Sequence, residues 1–192
     1  ERAIDRLRSG LKPALPGADL PGVHPLKTLE DGRRIKALLA GGVVRRVIVL
    51  GMGYVAMETV ESLRALGIEV DMVKPGPAFM PWLAPELATA VRAELGAHGI
   101  GVHTGLQPQR IEAAAGGLSR VCRDAPFSGQ MVLTAVGVVP LSGLAQSAGL
   151  ALSVGNSIAV DRTLRTSNPD IFSAGDCADA YHVVTGQKTW IP

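Results

Sequence analysis

The sequence predicts an α/β chain: a doubly wound parallel sheet with a β-hairpin insertion, plus part of a second domain. Three observations lead there. RRVIVLG is a short, fully apolar run of β-branched residues flanked by arginines, the pattern of a parallel strand buried on both faces. Apolar stripes at helical spacing separate it from further short strand runs. The connections are short, which makes each strand, helix, strand step a right-handed crossover within one parallel sheet.

The elements follow in chain order. The first 27 residues hold LKPALPGADLPG, too rich in Pro and Gly for continuous hydrogen bonding, and are expected to be an irregular linker. Thr28 is an N-cap candidate with Glu30 and Asp31 in the first turn, and Ile35, Leu38 and Leu39 form the stripe of a helix near 29 to 40 that Gly41 and Gly42 end. RRVIVLG is the first strand. YVAMETVESLRALG is a helix with Ala56, Val60 and Leu63 on one face and Gly67 at its C-cap. IEVDMV is the second strand, and PWLAPELATAVRAELGAHG holds a helix opened by Pro85, with Leu87, Val91 and Leu95 on one face, closed by Gly99. IGVH is the third strand. QRIEAAA and LSRVCRD then form a hairpin across a Gly116-Gly117 turn, MVLTAVG is a fourth buried strand, and SGLAQSAG a short helix. From Leu150 onward the pattern breaks into strand fragments, SIAV and IFSA among them, that belong to something other than this sheet.

Composition narrows the function classes. A chain of 192 residues can bury roughly 70% of its unfolded surface. With 47% hydrophobic and 19% charged residues it is globular in type. The net charge is +2, basic blocks do not exceed the pairs Arg33-Arg34 and Arg45-Arg46, and aromatics are 4%, so nucleic acid is not expected as a partner. Cys122 and Cys177 have no CxxC and no metal-like spacing to any His, which favours a reducing cytoplasm without a disulfide or a metal site. Apolar runs stay short of a membrane span and ERAIDRLRSG is no secretory leader, so no membrane partner is expected. The chain opens on Glu1 and stops at KTWIP, and it is expected to be a piece of a longer polypeptide.

The chemistry starts where VIVL runs into Gly51-Met52-Gly53-Tyr54-Val55-Ala56, a G-x-G-x-x-A loop that opens a helix. In a Rossmann-like fold Gly51 allows the tight turn, Gly53 lets the backbone approach a pyrophosphate, and Ala56 lets helix and strand pack closely. Free N–H groups and the helix dipole hold the anion. The next strand should end, near 20 positions on, in the residue that reads the adenine ribose. Lys74 stands there. A carboxylate would accept from both ribose hydroxyls of NAD, whereas a lysine can pair with a 2′-phosphate, which tilts the choice between NADH and NADPH toward the latter. A solvated loop lysine is the alternative, and PGPAFMPW supplies no second cation. Asp71 sits mid-strand and is not assigned to the ribose.

GMGYVAMETVESLRALGIEVDMV resembles the nicotinamide-nucleotide loop of FAD-dependent pyridine nucleotide-disulfide oxidoreductases, in the branch of NADH oxidases, NADH peroxidases and coenzyme A-disulfide reductases. LPGADLPGVHPLKTLEDG, TAVGVVP and TSNPDIFSAGDCADAYHVVTGQKTWIP resemble the same branch in the same order, from Lys12 onward. The resemblance implies that Gly51, Gly53, Tyr54 and Ala56 form the pyrophosphate loop, and that Glu58 lies near the nicotinamide carboxamide; a solvated or paired helix residue is the other reading of Glu58. Val136 and Gly137 would line the nicotinamide pocket. Gly175, Asp176 and Ala178 match the family's second flavin motif, where the aspartate accepts from the flavin ribityl chain.

By the same resemblance residues 1–27 are a linker or remnant of an FAD domain, 28–140 an NAD(P)H-binding domain, and 141–192 the C-terminal part of the FAD domain. A complete member carries an N-terminal glycine fingerprint, a redox-active cysteine and a dimerisation domain. The sequence has no such fingerprint before residue 51, and neither Cys122 nor Cys177 matches the reactive cysteine, so no catalytic residue is assigned. The implied function is part of a flavoprotein oxidoreductase, homodimeric when complete, that passes hydride from NAD(P)H to FAD for reduction of a small-molecule acceptor: a disulfide, persulfide, peroxide or oxygen. The chain alone is expected to be incomplete and inactive. The alternatives are an isolated dinucleotide-binding module without turnover and a purely structural fragment.

Overall fold

Strands that are apolar on both sides need a cover on each face, and this requirement sets the architecture. The structure, a computed structural model, describes residues 4–5, 8–10, 15–114, 117–119 and 127–191. It divides into two compact units, residues 12–137 and residues 1–11 with 138–192. In the larger unit β1 (Val23–Pro25), β2 (Arg46–Leu50), β3 (Glu69–Lys74), β4 (Ile100–Thr104) and β5 (Met131–Thr134) form one sheet in the order β1-β5-β2-β3-β4. Every neighbouring pair is parallel.

Three helices cover one face: α1 (Leu29–Ala40), α2 (Tyr54–Ala65) and α3 (Pro85–Ala97). Ile35, Ala56, Val60, Leu63 and Leu95 pack there against Val47, Val49, Met72, Met131 and Leu133. Thr28 caps α1 as expected: its hydroxyl accepts from Asp31 N at 3.1 Å, and Asp31 Oδ2 accepts from Thr28 N at 2.9 Å. Leu38 and Leu87 depart from expectation, since both are exposed while Ile35 and Leu95 carry their stripes inward. The opposite face is covered by a three-stranded antiparallel insertion, Glu112–Ala114, Gly117–Ser119 and Ser128–Gly129, in which Leu118 joins Ile111 and Phe127 over Ile48, Leu50, Val73 and Val132.

Gly117 differs from its expected place in a turn. It is the first residue of its strand and pairs with Ala114, and a Cβ there would press on the Gly129 carbonyl, so its missing side chain permits strand contact. Gly116, the rest of the LSRVCRD run and Cys122 lie outside the described residues. β1 also differs from the expected linker. It is a three-residue edge strand whose Pro25 sits at its end, where proline is tolerated.

Asp71 lies under the insertion, 7% exposed. Its Oδ2 accepts from Arg46 Nε at 3.0 Å and pairs with the second guanidinium nitrogen at 2.9 Å, while Oδ1 accepts from His103 Nε2 at 2.7 Å. This ties β2, β3 and β4 across their strands and gives both carboxylate oxygens partners, as a buried charge requires. Gly101 makes room for it, because a Cβ there would fall on Asp71 Oδ1 and within 2.7 Å of His103 Nε2.

In the smaller unit Ile4–Asp5 pairs parallel with Phe172–Ser173, Arg8–Gly10 pairs antiparallel with Val138–Pro140, and α4 (Gly143–Ser147) places Ala145 against Ile158 and Cys177. A hairpin, Ala180–Tyr181 with Lys188–Thr189, brings Lys188 Nζ to 2.8 Å from both Asp179 Oδ2 and the Val160 carbonyl. Asp179 Oδ1 accepts from Val160 N at 2.9 Å, and the residue is 3% exposed.

Burial is the largest influence on the Asp179 carboxyl and raises it, but hydrogen bonds from Lys188, Ser153 and Val160 together outweigh burial and hold it below the usual carboxylate value. A lowered folded pKa contributes stability that is present above the unfolded pKa and lost as pH falls through the folded one. Acidification below about pH 4 should therefore destabilise the wild type relative to Asp179→Asn. Denaturant midpoints across that range test this, and parallel curves for the two proteins would contradict it.

Candidate functional site

Strand order creates a crevice at the C-terminal end of β2. The chain leaves β2 toward β3 and β4, then returns to the other side of β2 as β5, so the loops after β2 and β5 diverge. Gly51 stands at that point with φ 118°, a conformation that favours glycine. Its N–H donates to the Val73 carbonyl at 2.9 Å, and Ala135 N donates to the Leu50 carbonyl at 2.8 Å. A Cβ on Gly51 would fall on the Ala135 carbonyl oxygen, so the two backbones meet only because residue 51 has no side chain.

Gly53 is the N-cap of α2 and has extended backbone angles and no side-chain cap. The first intrahelical bond runs from Met57 N to the Gly53 carbonyl at 3.0 Å, which leaves the N–H groups of Tyr54, Val55 and Ala56 without helical partners. A Cβ on Gly53 would meet no atom within 4 Å, so the protein's own packing does not require glycine here. Met52 and Ala56 are buried and pin the loop from below. The result is an open cradle of N–H groups at the positive end of a helix dipole, suited to an anion.

The other residues expected from the sequence distribute around this loop. Val136 and Gly137 directly follow the Ala135 contact; both are exposed, and Gly137 has φ 104° with open space where a Cβ would stand. Glu58 is exposed on the second turn of α2. Lys74 ends β3, and its ammonium donates to the Ala78 carbonyl at 3.0 Å and lies 5.9 Å from the centroid of the Trp82 ring. Tyr54, the first residue of α2, contacts the same indole with ring centroids 5.9 Å apart. Trp82 lies in no motif, and its only signal in the sequence is an aromatic residue in a Pro- and Gly-rich turn after a buried strand.

Gly175, Asp176 and Ala178 belong to the smaller unit. Gly175 is exposed, has φ 86°, and leaves open space at its Cβ position. Ala178 N donates to the Gly175 carbonyl at 3.0 Å, closing a turn, and the Asp176 carbonyl accepts from Trp190 Nε1 at 2.7 Å. Cys177 is 1% exposed and packs with Ala145 and Ile158, as an inert structural thiol does. Among the described residues there is no group of three or more His, Cys, Asp or Glu side chains able to hold a metal, and no helix long and apolar enough to cross a membrane.

The chain is similar to known proteins over nearly its whole length. The family described as pyridine nucleotide-disulphide oxidoreductase matches residues 9–190. An NADH oxidase of Methanocaldococcus jannaschii is 31% identical over 190 residues, 97% of this chain and 42% of that protein. The crystal structure of reduced Bacillus anthracis CoADR-RHD superposes with a TM-score of 0.87 at 31% identity, covering 96% of this chain and 33% of the other. An NAD-dependent persulfide reductase from A. fulgidus does so with a TM-score of 0.89 at 29% identity, covering 96% and 35%. The chain thus spans about two fifths or less of the length of the curated relatives it matches.

The two loop glycines should respond differently to the same added methyl group. Gly51→Ala forces a contact with the Ala135 backbone at an unfavourable φ and is expected to destabilise the fold by about 1–3 kcal/mol. Gly53→Ala should leave the unfolding midpoint within about 0.5 kcal/mol of wild type. Equal destabilisation by both changes would contradict the geometry.

Proposed function

The chain belongs to the pyridine nucleotide-disulphide oxidoreductase family, and from that premise we propose that it is the nucleotide-binding part of a flavoprotein oxidoreductase. Residues 12–137 hold NADH or NADPH across the C-terminal end of β2. Residues 138–192 supply part of a flavin-binding domain. The observation that carries this reading is the Gly53 cradle, open at a helix N-terminus and set beside the close contact of Gly51 with Ala135.

In this reading the N–H groups of Tyr54, Val55 and Ala56 bind the pyrophosphate, and Gly53 lets it approach the backbone. Val136 and Gly137 border the nicotinamide, where the missing side chain of residue 137 leaves room for a ring, and Glu58 orients the carboxamide. Gly175, Asp176 and Ala178 face FAD. The open backbone at Gly175 fits a closely approaching ligand, and Asp176 offers the acceptor for a ribityl hydroxyl. When bound, the flavin supplies acceptance of a hydride from the nicotinamide and reduction of a disulfide, persulfide, peroxide or oxygen. The protein's own contribution is placement of the two cofactors, and no side chain of this chain is assigned to the acceptor chemistry.

The complete protein is read as a cytoplasmic homodimer that engages neither nucleic acid nor membrane. The second reading is a dinucleotide-binding module without turnover. Flavin absorbance in the purified full-length protein separates the two.

Lys74 decides the choice of dinucleotide. One of its three ammonium protons is engaged by the Ala78 carbonyl, which leaves two for a 2′-phosphate. Lys74→Glu is expected to weaken NADPH binding about tenfold or more while NADH binding holds or improves. Calorimetric titration with both dinucleotides tests it. Unchanged NADPH affinity removes Lys74 from the phosphate site, and a wild type that binds neither dinucleotide overturns the proposed function.

A further inference from the structure

We propose that Trp82 is the adenine-stacking residue of the dinucleotide site, an inference that rests on the nucleotide reading above. Trp82 is 50% exposed and Tyr54 67% exposed. Two large aromatic rings that face solvent together, beside an anion-binding helix terminus, leave apolar area that a flat ligand can cover.

The indole is held in place by the loop that carries it. Phe79 and Met80 are buried in the helix-side core, and Leu83 N donates to the Met80 carbonyl at 2.9 Å, closing a turn around Trp82. Met80 adopts φ 43°, a conformation that a side-chain-bearing residue rarely takes. The chain thus accepts backbone strain two residues before Trp82 and anchors both flanks, yet leaves the largest side chain of the loop half in water. Strain of this kind concentrates where a ligand contact depends on it.

Position identifies which end of the dinucleotide the indole meets. Lys74 is the last residue of β3, the strand whose end reads the adenine ribose, and its ammonium lies 5.9 Å from the Trp82 ring. The nicotinamide end falls instead to Val136 and Gly137, on the β5 side of β2. Trp82 therefore offers its remaining π-face to the adenine, while the Lys74 ammonium, over the ring at 5.9 Å from its centroid, reads the ribose 2′ position. Because NADH and NADPH share the adenine, Trp82 sets affinity for both, whereas Lys74 sets the ratio between them.

The test pairs tryptophan emission with binding titrations. Adenosine 5′-monophosphate should quench emission of the wild type, the quench should vanish in Trp82→Phe, and nicotinamide mononucleotide should leave emission unchanged. Trp82→Ala should weaken NADH and NADPH equally, by about tenfold, and Trp82→Phe by no more than about threefold. Quenching by the nicotinamide fragment alone, or dinucleotide affinities unchanged in Trp82→Ala, would overturn the stacking role while the nucleotide reading stands. A wild type that binds neither dinucleotide nor the adenosine fragment overturns both.

Discussion

The contact on which the larger unit depends is the meeting of two backbones at the end of β2, where Gly51 lies against the Ala135 carbonyl. Hydrogen bonds from Gly51 N to Val73 and from Ala135 N to Leu50 lock three strand ends together, so the loops beyond them start from fixed points. From Gly51 the chain needs only Met52 and Gly53 to enter α2. From Ala135 it reaches the exposed pair Val136 and Gly137. A side chain at residue 51 would push these two loops apart, and the cradle between them would lose its shape. The site is therefore a consequence of sheet packing, and its polar groups are main-chain N–H groups whose placement the fold dictates.

That packing needs both faces of the sheet covered, and the covers differ. The helical face is apolar throughout, from Ile35 to Leu95. The other face carries an internal charge, Asp71, that Arg46 pairs with and His103 hydrogen-bonds. Loss of one partner would leave a buried carboxylate underpaired, which is far more costly than loss of a surface ion pair. The glycine at 101 is the steric counterpart of that charge, just as the glycine at 51 is the counterpart of the Ala135 carbonyl. Neither glycine serves flexibility; each marks an atom that must come close.

The parts legible in the sequence were those set by local pattern. The β-branched run before Gly51, the period of Ala56, Val60 and Leu63, and the Thr28 cap all act over a few residues, and all form as read. Features that depend on register or on chain return were not legible. Val23–Pro25 is too short to show a period and becomes a strand only because β5 lies beside it. Helical spacing put Leu38 and Leu87 on apolar stripes, but Ile35 and Leu95 are the residues that reach the core and these two do not. Asp71, Arg46 and His103 are far apart in sequence and meet through strand order. Trp82 acquires neighbours only when its loop folds back over Lys74 toward the first residue of α2.

If main-chain groups at the end of β2 bind the dinucleotide, as proposed above, backbone amide resonances report it directly. On addition of NADH the largest shifts are expected at Gly53, Tyr54, Val55 and Ala56, with a second set at Val136 and Gly137 and little change in β4 or the antiparallel insertion. Shifts confined to other segments, with these amides unmoved at saturation, would contradict it.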